Sequence, residues 1–536
     1  MRSPASDDVG VRPSPSPWRP LRHRTFRALW IATTASNLGT WLQSVGAAWL
    51  MTSLTESAVL IALVQAATSI PMFFFSLPAG ALADVVDRRR LLLITQAWML
   101  LSAVGLTLIT AAGGMTPWVL LTFTALLGLG AAFNQPAQQA SVSELVPRED
   151  LPAAISLSSV GFNIARAAGP AIGGLILAAA GPEVNFLLNA LSFLGVLVVL
   201  YRWKRPIETS MLPAERFFGA MKTGVRYVRH SPEVRAVIAR GSLFVLCASS
   251  LWALLPVVTR DLGQGPAGYG LLLGALGIGA VSAAMVLPRL SRSGSPGLLV
   301  AVSNLLFAGA LVALGVVREF WLLFLALLGA GGAWLSLLSS LNVAVQTLVP
   351  SWVRGRALSV YMLFIFGALS GGSVLWGAVA DRAGLVPALL ISAGGMVLGL
   401  IATLRVRLRS GEGLNLAPSR QWPAPRIPEL EPDTGPVLVT IRYRIDPERT
   451  AGFLAAMKDL RLVRLRGGAM QWGLFADSED AGLQTEMFLV SSWMEHLRQH
   501  ERITVADEEI RLRAGSFHLG PEEPEVEHMI AERVAS

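Results

Sequence analysis

Charge is scarce in this chain: 15% of its 536 residues are charged, where soluble domains carry roughly 25%. That shortage excludes an ordinary soluble globular protein before any segment is inspected. Lysine is nearly missing, with Lys204, Lys222 and Lys458 as the whole complement, and none of them follows a glycine. No phosphate-cradling loop of the Gly-Lys type can be built, so the chain by itself is not an ATP-driven pump. The one cysteine, Cys247, lies in an apolar run; an intrachain disulfide and a Cys/His metal cluster around it are both excluded. Acidic residues are missing from the middle of every apolar stretch, for Asp84, Glu144, Asp261, Glu319 and Asp381 all stand near the ends of such stretches. No buried carboxylate is therefore at hand to carry a coupling proton.

What the chain has in abundance is apolar length. Hydrophobic residues make up 53% of it and the mean hydropathy is +0.54. A spanning helix needs about 20 mostly apolar residues, and such stretches follow one another at 26–51, 58–83, 90–112, 117–142, 153–180, 184–203, 236–259, 267–288, 296–317, 320–348, 357–380 and 385–405. The loops that would face inward hold Arg88, Arg89, Arg90, Arg148, the basic run from Arg202 to Arg235, Arg289, Arg292, Arg354 and Arg356. The opposite loops hold only Arg260, Arg318 and Arg382, each beside an acid. This asymmetry places both termini in the cytoplasm of a multi-pass inner-membrane protein. The formal charge is +8, yet residues 433–536 carry 12 basic against 18 acidic groups, which leaves +14 on the rest. That positive charge sits in loops between spans and does not describe a nucleic-acid binder. Residues 1–25 read as a disordered cytoplasmic tail, because the first apolar run (Trp30 to Met51) is long enough to stay as a span rather than serve as a cleaved signal.

The longest inner loop, residues 204–235, divides the spans six and six, giving bundles at 26–203 and 236–407. Within it Phe217, Met221, Val225 and Val228 recur at helical spacing opposite Arg216, Lys222, Arg226 and Arg229. Such a helix either lies on the anionic membrane surface or packs on the inner ends of the bundle. A faint internal repeat supports the division: Leu145-Val-Pro and Leu348-Val-Pro, each followed by a serine (Ser156, Ser359), precede the fifth and eleventh spans. Two repeated halves are a recurrent transporter architecture.

The second span ends Gly80-Ala-Leu-Ala-Asp84-Val-Val-Asp87-Arg88-Arg89. Gly80 is expected to let two helices approach closely, and Asp84 to accept bonds from a helix end or an arginine; an ordinary basic turn is the plain alternative. A shorter echo, Gly377-Ala-Val-Ala-Asp381-Arg382, closes the eleventh span. In the fifth span Gly161, Ala165, Gly169 and Gly173 recur every four residues, with Pro170 and Gly174 beside them, a stripe suited to close packing and a bend. The first segment resembles the signature loop of the major facilitator superfamily, with Asp87 where a second glycine is usual. Gly169-Pro170-x-x-Gly173-Gly174 resembles the motif of that superfamily's exporters. The resemblance implies a conformational gate at Gly80, Asp84, Arg88, Arg89, Gly169, Pro170, Gly173 and Gly174. It also implies a coupling proton, although the fourth-span arginine of the drug/proton antiporters is missing near Thr124.

Arg166 lies about 16 Å into the fifth span at 1.5 Å per residue, in a polar stripe with Ser156, Ser159 and Asn163. A charge at that depth should face the bundle interior. It either lines the translocation path or tethers helices structurally. Thr33, Asn37, Thr40 and Ser44 share a face of the first span; Asn134, Gln135, Gln138 and Gln139 crowd the end of the fourth; and Ser339, Asn342 and Gln346 stand in the tenth. Singly these are ordinary interhelical hydrogen bonders. Together they describe a weakly polar cavity, with Arg166, Asn163, Ser159, Asn37, Thr40, Gln135 and Gln138 as the expected pathway.

After a Pro-rich linker (408–435), Val437–Ile445 alternates as a strand, followed by a helix at 447–466, strands near 468–476 and 485–492 and a helix near 493–513. The order resembles a ferredoxin-like half-barrel of the antibiotic-biosynthesis monooxygenase type over 436–520, with 521–536 as an acidic tail. His496 and His500 have a spacing that can bind metal, but no third ligand is evident, and the plain reading is two solvent-facing histidines. No metal or other cofactor is expected. The combination resembles the transmembrane secretion effector branch, to which the enterobactin exporters belong. The expected fold is an all-α twelve-helix facilitator of 6+6 pseudo-repeat with a small C-terminal α+β domain. The resemblance implies export of small, partly hydrophobic molecules by alternating access rather than an enzyme, with possible dimers through the C-terminal domain. Import by the same fold and a membrane-tethered oxygenase are the alternatives.

Overall fold

The computed structural model describes residues 16–203, 217–293, 296–404, 415–419 and 434–531. Residues 1–15, much of the 204–235 linker and most of the 408–435 linker lie outside it.

One group of six long helices comprises α1 (Arg24–Leu54), α2 (Ala58–Val85), α3 (Arg88–Ala111), α4 (Pro117–Leu145), α5 (Leu151–Ala180) and α6 (Pro182–Arg202). A short α7 (Phe217–Arg229) leads to the second six: α8 (Pro232–Asp261), α9 (Pro266–Ser293), α10 (Pro296–Val316), α11 (Phe320–Leu348), α12 (Arg354–Ala383) and α13 (Leu385–Leu404). Eleven of these helices, α2–α6 and α8–α13, are long and apolar enough to cross a membrane. The other, α1, has 31 residues, but Thr33, Thr34, Ser36, Asn37, Thr40, Gln43 and Ser44 dilute its hydropathy. It is held in the bundle because Gly39 and Gly46 bring it against Asn189 and Phe186 of α6.

Helix starts follow local chemistry. Ser57, Asp87 and Thr116 accept hydrogen bonds from Leu60, Arg90 and Val119 backbone N–H groups at the starts of α2, α3 and α4, which satisfies otherwise orphaned donors. The two halves repeat in register: the starts of α4 and α11, α5 and α12, and α6 and α13 are each 203 residues apart. The glycines that turn α5 into α6 and α12 into α13, Gly181 and Gly384, share that offset and the left-handed backbone (φ +82° and +93°), which an L side chain adopts only with strain.

The second domain contains β1 (Val437–Arg444), α14 (Thr450–Gly467), β2 (Gln471–Ala476), β3 (Leu483–Val490), α15 (Trp493–Arg502), α16 (Val505–Gly515) and β4 (Glu525–Ile530). All strand neighbours are antiparallel, in the order β2-β3-β1-β4. This is the ferredoxin-like arrangement. Two expectations are corrected. Residues 525–530, expected in an acidic tail, form an edge strand paired with β1; in Glu-Val-Glu-His-Met-Ile the charges mask an alternation. The expected single helix over 493–513 is two, because Thr504 and Asp507 make a capping box that starts α16.

Candidate translocation site

The halves meet through two related helix crossings. A Cβ on Gly174 of α5 would fall 2.7 Å from the Gly270 Cα of α9. A Cβ on Gly377 of α12 would fall 2.7 Å from the Ala62 Cβ of α2. Residues 174 and 377 share the 203-residue offset, so one small-residue crossing occurs twice. Gly169 and Gly173 serve a different contact, holding α1 close through Trp41 and Leu42. The Gly169–Gly174 segment thus has one side for its own half and one for the other.

Charges from the second half hold the α1–α2 turn at the same end. The Asp381 carboxylate, at the end of α12, accepts from Ser57 Oγ at 2.8 Å and from the backbone N–H groups of Ala58 at 2.5 Å and Val59 at 3.4 Å. It thereby caps the positive N-terminus of α2. Arg260 donates to the Thr52 and Thr55 carbonyls at 3.2 and 3.5 Å, at the negative C-terminal end of α1. Sequence reading named Asp381 as an acid near a span end and as part of an echo of the first motif, without a partner for it. Its role depends on which helix end lies opposite, and the sequence carries no signal for that. We call this end of the bundle the far end, and the one bearing the second domain the domain end.

Between the halves, from the middle of the bundle toward the domain end, lies a cavity of about 350 Å³ lined by Arg166 of α5 and by Trp334, Leu335, Leu338, Ser339, Asn342 and Val343 of α11. Arg166 is the only charged residue in this lining. It is half-buried, and no hydrogen bond or ion pair is formed by its side chain among the described residues. Trp334 is braced from behind, its ring centroid 4.3 Å from Trp252 and 5.8 Å from Phe244.

The other expected pathway residues divide. Asn37 and Thr40 lie on α1, half-buried and exposed respectively, with Thr40 Oγ1 bonded to the Ser36 carbonyl at 2.9 Å. On α5, Asn163 donates to the Ser159 carbonyl at 2.9 Å, and Ser159 to that of Ile155 at 3.1 Å. Gln135 is exposed. Gln138 instead accepts from Asn134 Nδ2 at 3.1 Å, and Asn134 Oδ1 accepts from Thr95 at 3.1 Å and Gln96 at 3.3 Å. That chain ties α4 to α3 within one half. Of the expected set only Arg166 lines the cavity. Ser339 and Asn342, expected among the polar residues of the tenth span that describe the cavity, line it as well.

The expected gate divides as well. Arg88 pairs with Glu144 at 2.8 Å, and Arg89 donates to the Leu200 and Tyr201 carbonyls at 2.9 and 2.7 Å, capping the end of α6. Among the described residues nothing lies within 4 Å of a Cβ built at Gly80. The expectation of close helix approach there is corrected, since the loop is held by its arginines instead. The Asp84 side chain lies outside the described residues.

At the domain end α7 packs against the bundle rather than standing apart from it. Tyr227 and Val228 are buried in the second half's core, while Arg226 turns to the second domain, donating to Glu495 at 2.8 Å and to the Gly468 carbonyl at 3.2 Å. Arg502 bonds the same Glu495 at 2.8 Å and lies 4.6 Å over the Trp352 ring between α11 and α12. The second domain has a polar interior of its own. Glu486, fully buried, accepts from Arg464 Nε at 3.0 Å, Trp472 Nε1 at 2.9 Å and Tyr443 OH at 3.1 Å.

His496 and His500 are also buried, which corrects the solvent-facing reading. The Nε2 atoms of His528 and His500 stand 3.0 and 3.2 Å from that of His496. Burial, then the neighbouring His500 and His528, push the His496 imidazole down to about 3; burial first and His528 next push His500 to about 4. Among the described residues no group of three or more His, Cys, Asp or Glu is arranged to hold a metal ion.

A family model described as "Transmembrane secretion effector" matches residues 15–535. The chain is 29% identical over 357 residues to the staphyloferrin A transporter of Staphylococcus aureus (strain NCTC 8325 / PS 47), covering 65% of this chain and 88% of that one. It is 28% identical over 392 residues to the enterobactin exporter EntS of Shigella boydii serotype 4 (strain Sb227), covering 71% and 92%. The fold matches that of the POT family transporter PepTSo with a TM-score of 0.61 at 11% identity, over 72% of this chain and 97% of that one.

Proposed function

We propose that this chain, which belongs to the transmembrane secretion effector family, is a secondary transporter that exports small, partly hydrophobic molecules of the siderophore or metabolite kind by alternating access. The observation that carries the reading is the cavity at Arg166, set between two repeated halves that close on each other at the far end. Rocking the halves about the two glycine crossings would close the domain end and open the far end. The similarity to the enterobactin exporters and the Gly169–Gly174 motif favour export over import. The loop arginines support an orientation with both termini in the cytoplasm, so the cavity fills from inside in the state described. A proton is the proposed coupling ion. Pairing of two chains through the second domain is supported by its sheet: the face turned from the core carries Gln471, Leu489, Leu438 and Met529 in one paired row. The test compares efflux of endogenous metabolites and added toxins from cells with and without the gene, repeated with the proton gradient collapsed. Equal efflux in both strains across such a panel would overturn the reading, and efflux indifferent to the gradient would remove the proton.

A further inference from the structure

We infer that the cavity selects substrates carrying an anionic group next to a flat, unsaturated ring system, with Arg166 and Trp334 as the residues that make the choice. This rests on the reading of the cavity as a transport site. An arginine half-removed from water in a spanning helix is costly unless something offsets its charge, and no counter-charge to it is found among the described residues. Among the described residues Arg166 forms no ion pair or hydrogen bond, and no carboxylate lines the cavity. A cation entering would meet repulsion with nothing to compensate. An anion would supply the missing partner, and the planar guanidinium fork fits a carboxylate or phosphate through two parallel bonds.

The wall beside Arg166 sets the second requirement. Trp334 lines the cavity, and its ring is fixed by the rings of Trp252, Phe244 and Phe307 at centroid distances of 4.3, 5.8 and 6.2 Å. A side chain braced on several sides presents its remaining surface without a cost in rotamer entropy. A planar ligand can stack on it, and aromatic contacts of that kind add affinity beyond area burial. Ser339 and Asn342 give the same cavity neutral donors and acceptors. At about 350 Å³ the site lies at the lower end of small-molecule pockets.

The test uses the full-length protein in lipid nanodiscs and a set of four probes that separates charge from ring: 2-naphthoate, 2-naphthamide, and the saturated decahydro analogues of both. Wild type should bind 2-naphthoate about tenfold or more tighter than the amide, as expected for a charge-assisted pair. Arg166→Gln should bring that ratio below about twofold, with a monodisperse elution profile as the control for folding, and Arg166→Lys should restore part of it. Trp334→Leu should remove the preference for the unsaturated ring, about fivefold, and leave the charge preference in place. An unchanged charge ratio in Arg166→Gln overturns the inference, as does a folded wild type that binds none of the probes. The same probes are then offered for efflux from cells. Gene-dependent efflux of the amides but not the acids would sink the inference and leave the exporter reading standing. Loss of every gene-dependent efflux, metabolites included, would remove the exporter reading itself.

Discussion

Asp381→Ala should open the far end. In the state described, one carboxylate of the second half accepts three hydrogen bonds at the start of α2, and those bonds cannot survive separation of the two helices. Their loss therefore falls on the equilibrium between the two states rather than equally on both. Removing an acidic cap from a helix N-terminus costs about 0.5–2 kcal/mol, and Asp381 is exposed, so solvent keeps the figure inside that range. A shift of about 0.5–2 kcal/mol multiplies the far-end-open population roughly two- to thirtyfold. Asp381→Asn keeps one acceptor oxygen without the charge and should shift it less. The assay places spin labels at exposed Glu56 and Glu319, on opposite halves, after replacing the one native cysteine, the buried Cys247. Double electron–electron resonance should show a longer inter-label distance gaining weight in Asp381→Ala and less in Asp381→Asn. The neighbouring Arg382→Ala should leave it unmoved. An unchanged distribution in Asp381→Ala, or an equal change in Arg382→Ala, would refute the clasp.

Other consequences follow from the same geometry. Arg260→Gln removes the contacts to Thr52 and Thr55 and should shift the same distribution in the same direction, by less than Asp381→Ala. Gly377→Leu places a branched side chain where Ala62 and Val59 already sit; the far end should no longer close, and transport should fall at least tenfold while the protein remains in the membrane. Arg226→Ala breaks the tie from α7 to Glu495 and Gly468. Amide hydrogen exchange should then quicken in α7 and at the start of α15, with β1 and β3 unchanged; equal protection in both proteins would show that the tie does not hold the second domain. The buried histidines make that domain acid-sensitive. Their folded values lie below the ordinary 6.5, at about 3 for His496 and about 4 for His500, so the unfolded chain takes up protons first as pH falls. Stability is whole above about pH 6.5 and is lost as pH drops toward 4. A melting transition of the second domain that stays constant between pH 7 and 4.5 would contradict this, and His500→Gln should flatten the dependence.

The second domain's attachment bears on how the transporter could be controlled. α15 carries the buried histidines on one side and, through Glu495 and Arg502, the contacts to Arg226 and Trp352 on the other. The loop holding Trp352 joins α11, which lines the cavity, to α12, which ends in Asp381. A change at the second domain therefore has a short covalent path to the cavity wall and, along the length of α12, a longer one to the far-end clasp.

The sequence by itself determined the membrane-spanning helices, the repeat and the C-terminal sheet, because each follows from local pattern: apolar length, a shared offset of 203 residues, and period-two alternation. It also singled out Arg166, since a charge deep in a span is conspicuous in any structure. It could not tell which polar residues reach the cavity. Gln138 and Asn342 look alike in one dimension, yet one is spent on a bond within its half and the other lines the cavity. Gly80 and Gly377 stand in similar motifs, yet among the described residues a Cβ at Gly377 meets another helix and one at Gly80 meets nothing within 4 Å. Those outcomes depend on which helix lies across the interface, a relation between residues as far apart as Ser57 and Asp381. Charge disguised one strand, β4, and burial reversed the reading of His496 and His500. Local pattern settled which segments are helices and most of the strands; the tertiary packing alone decided which charges clasp, which ties are structural, and that Arg166 stands beside Trp334 with no partner among the described residues.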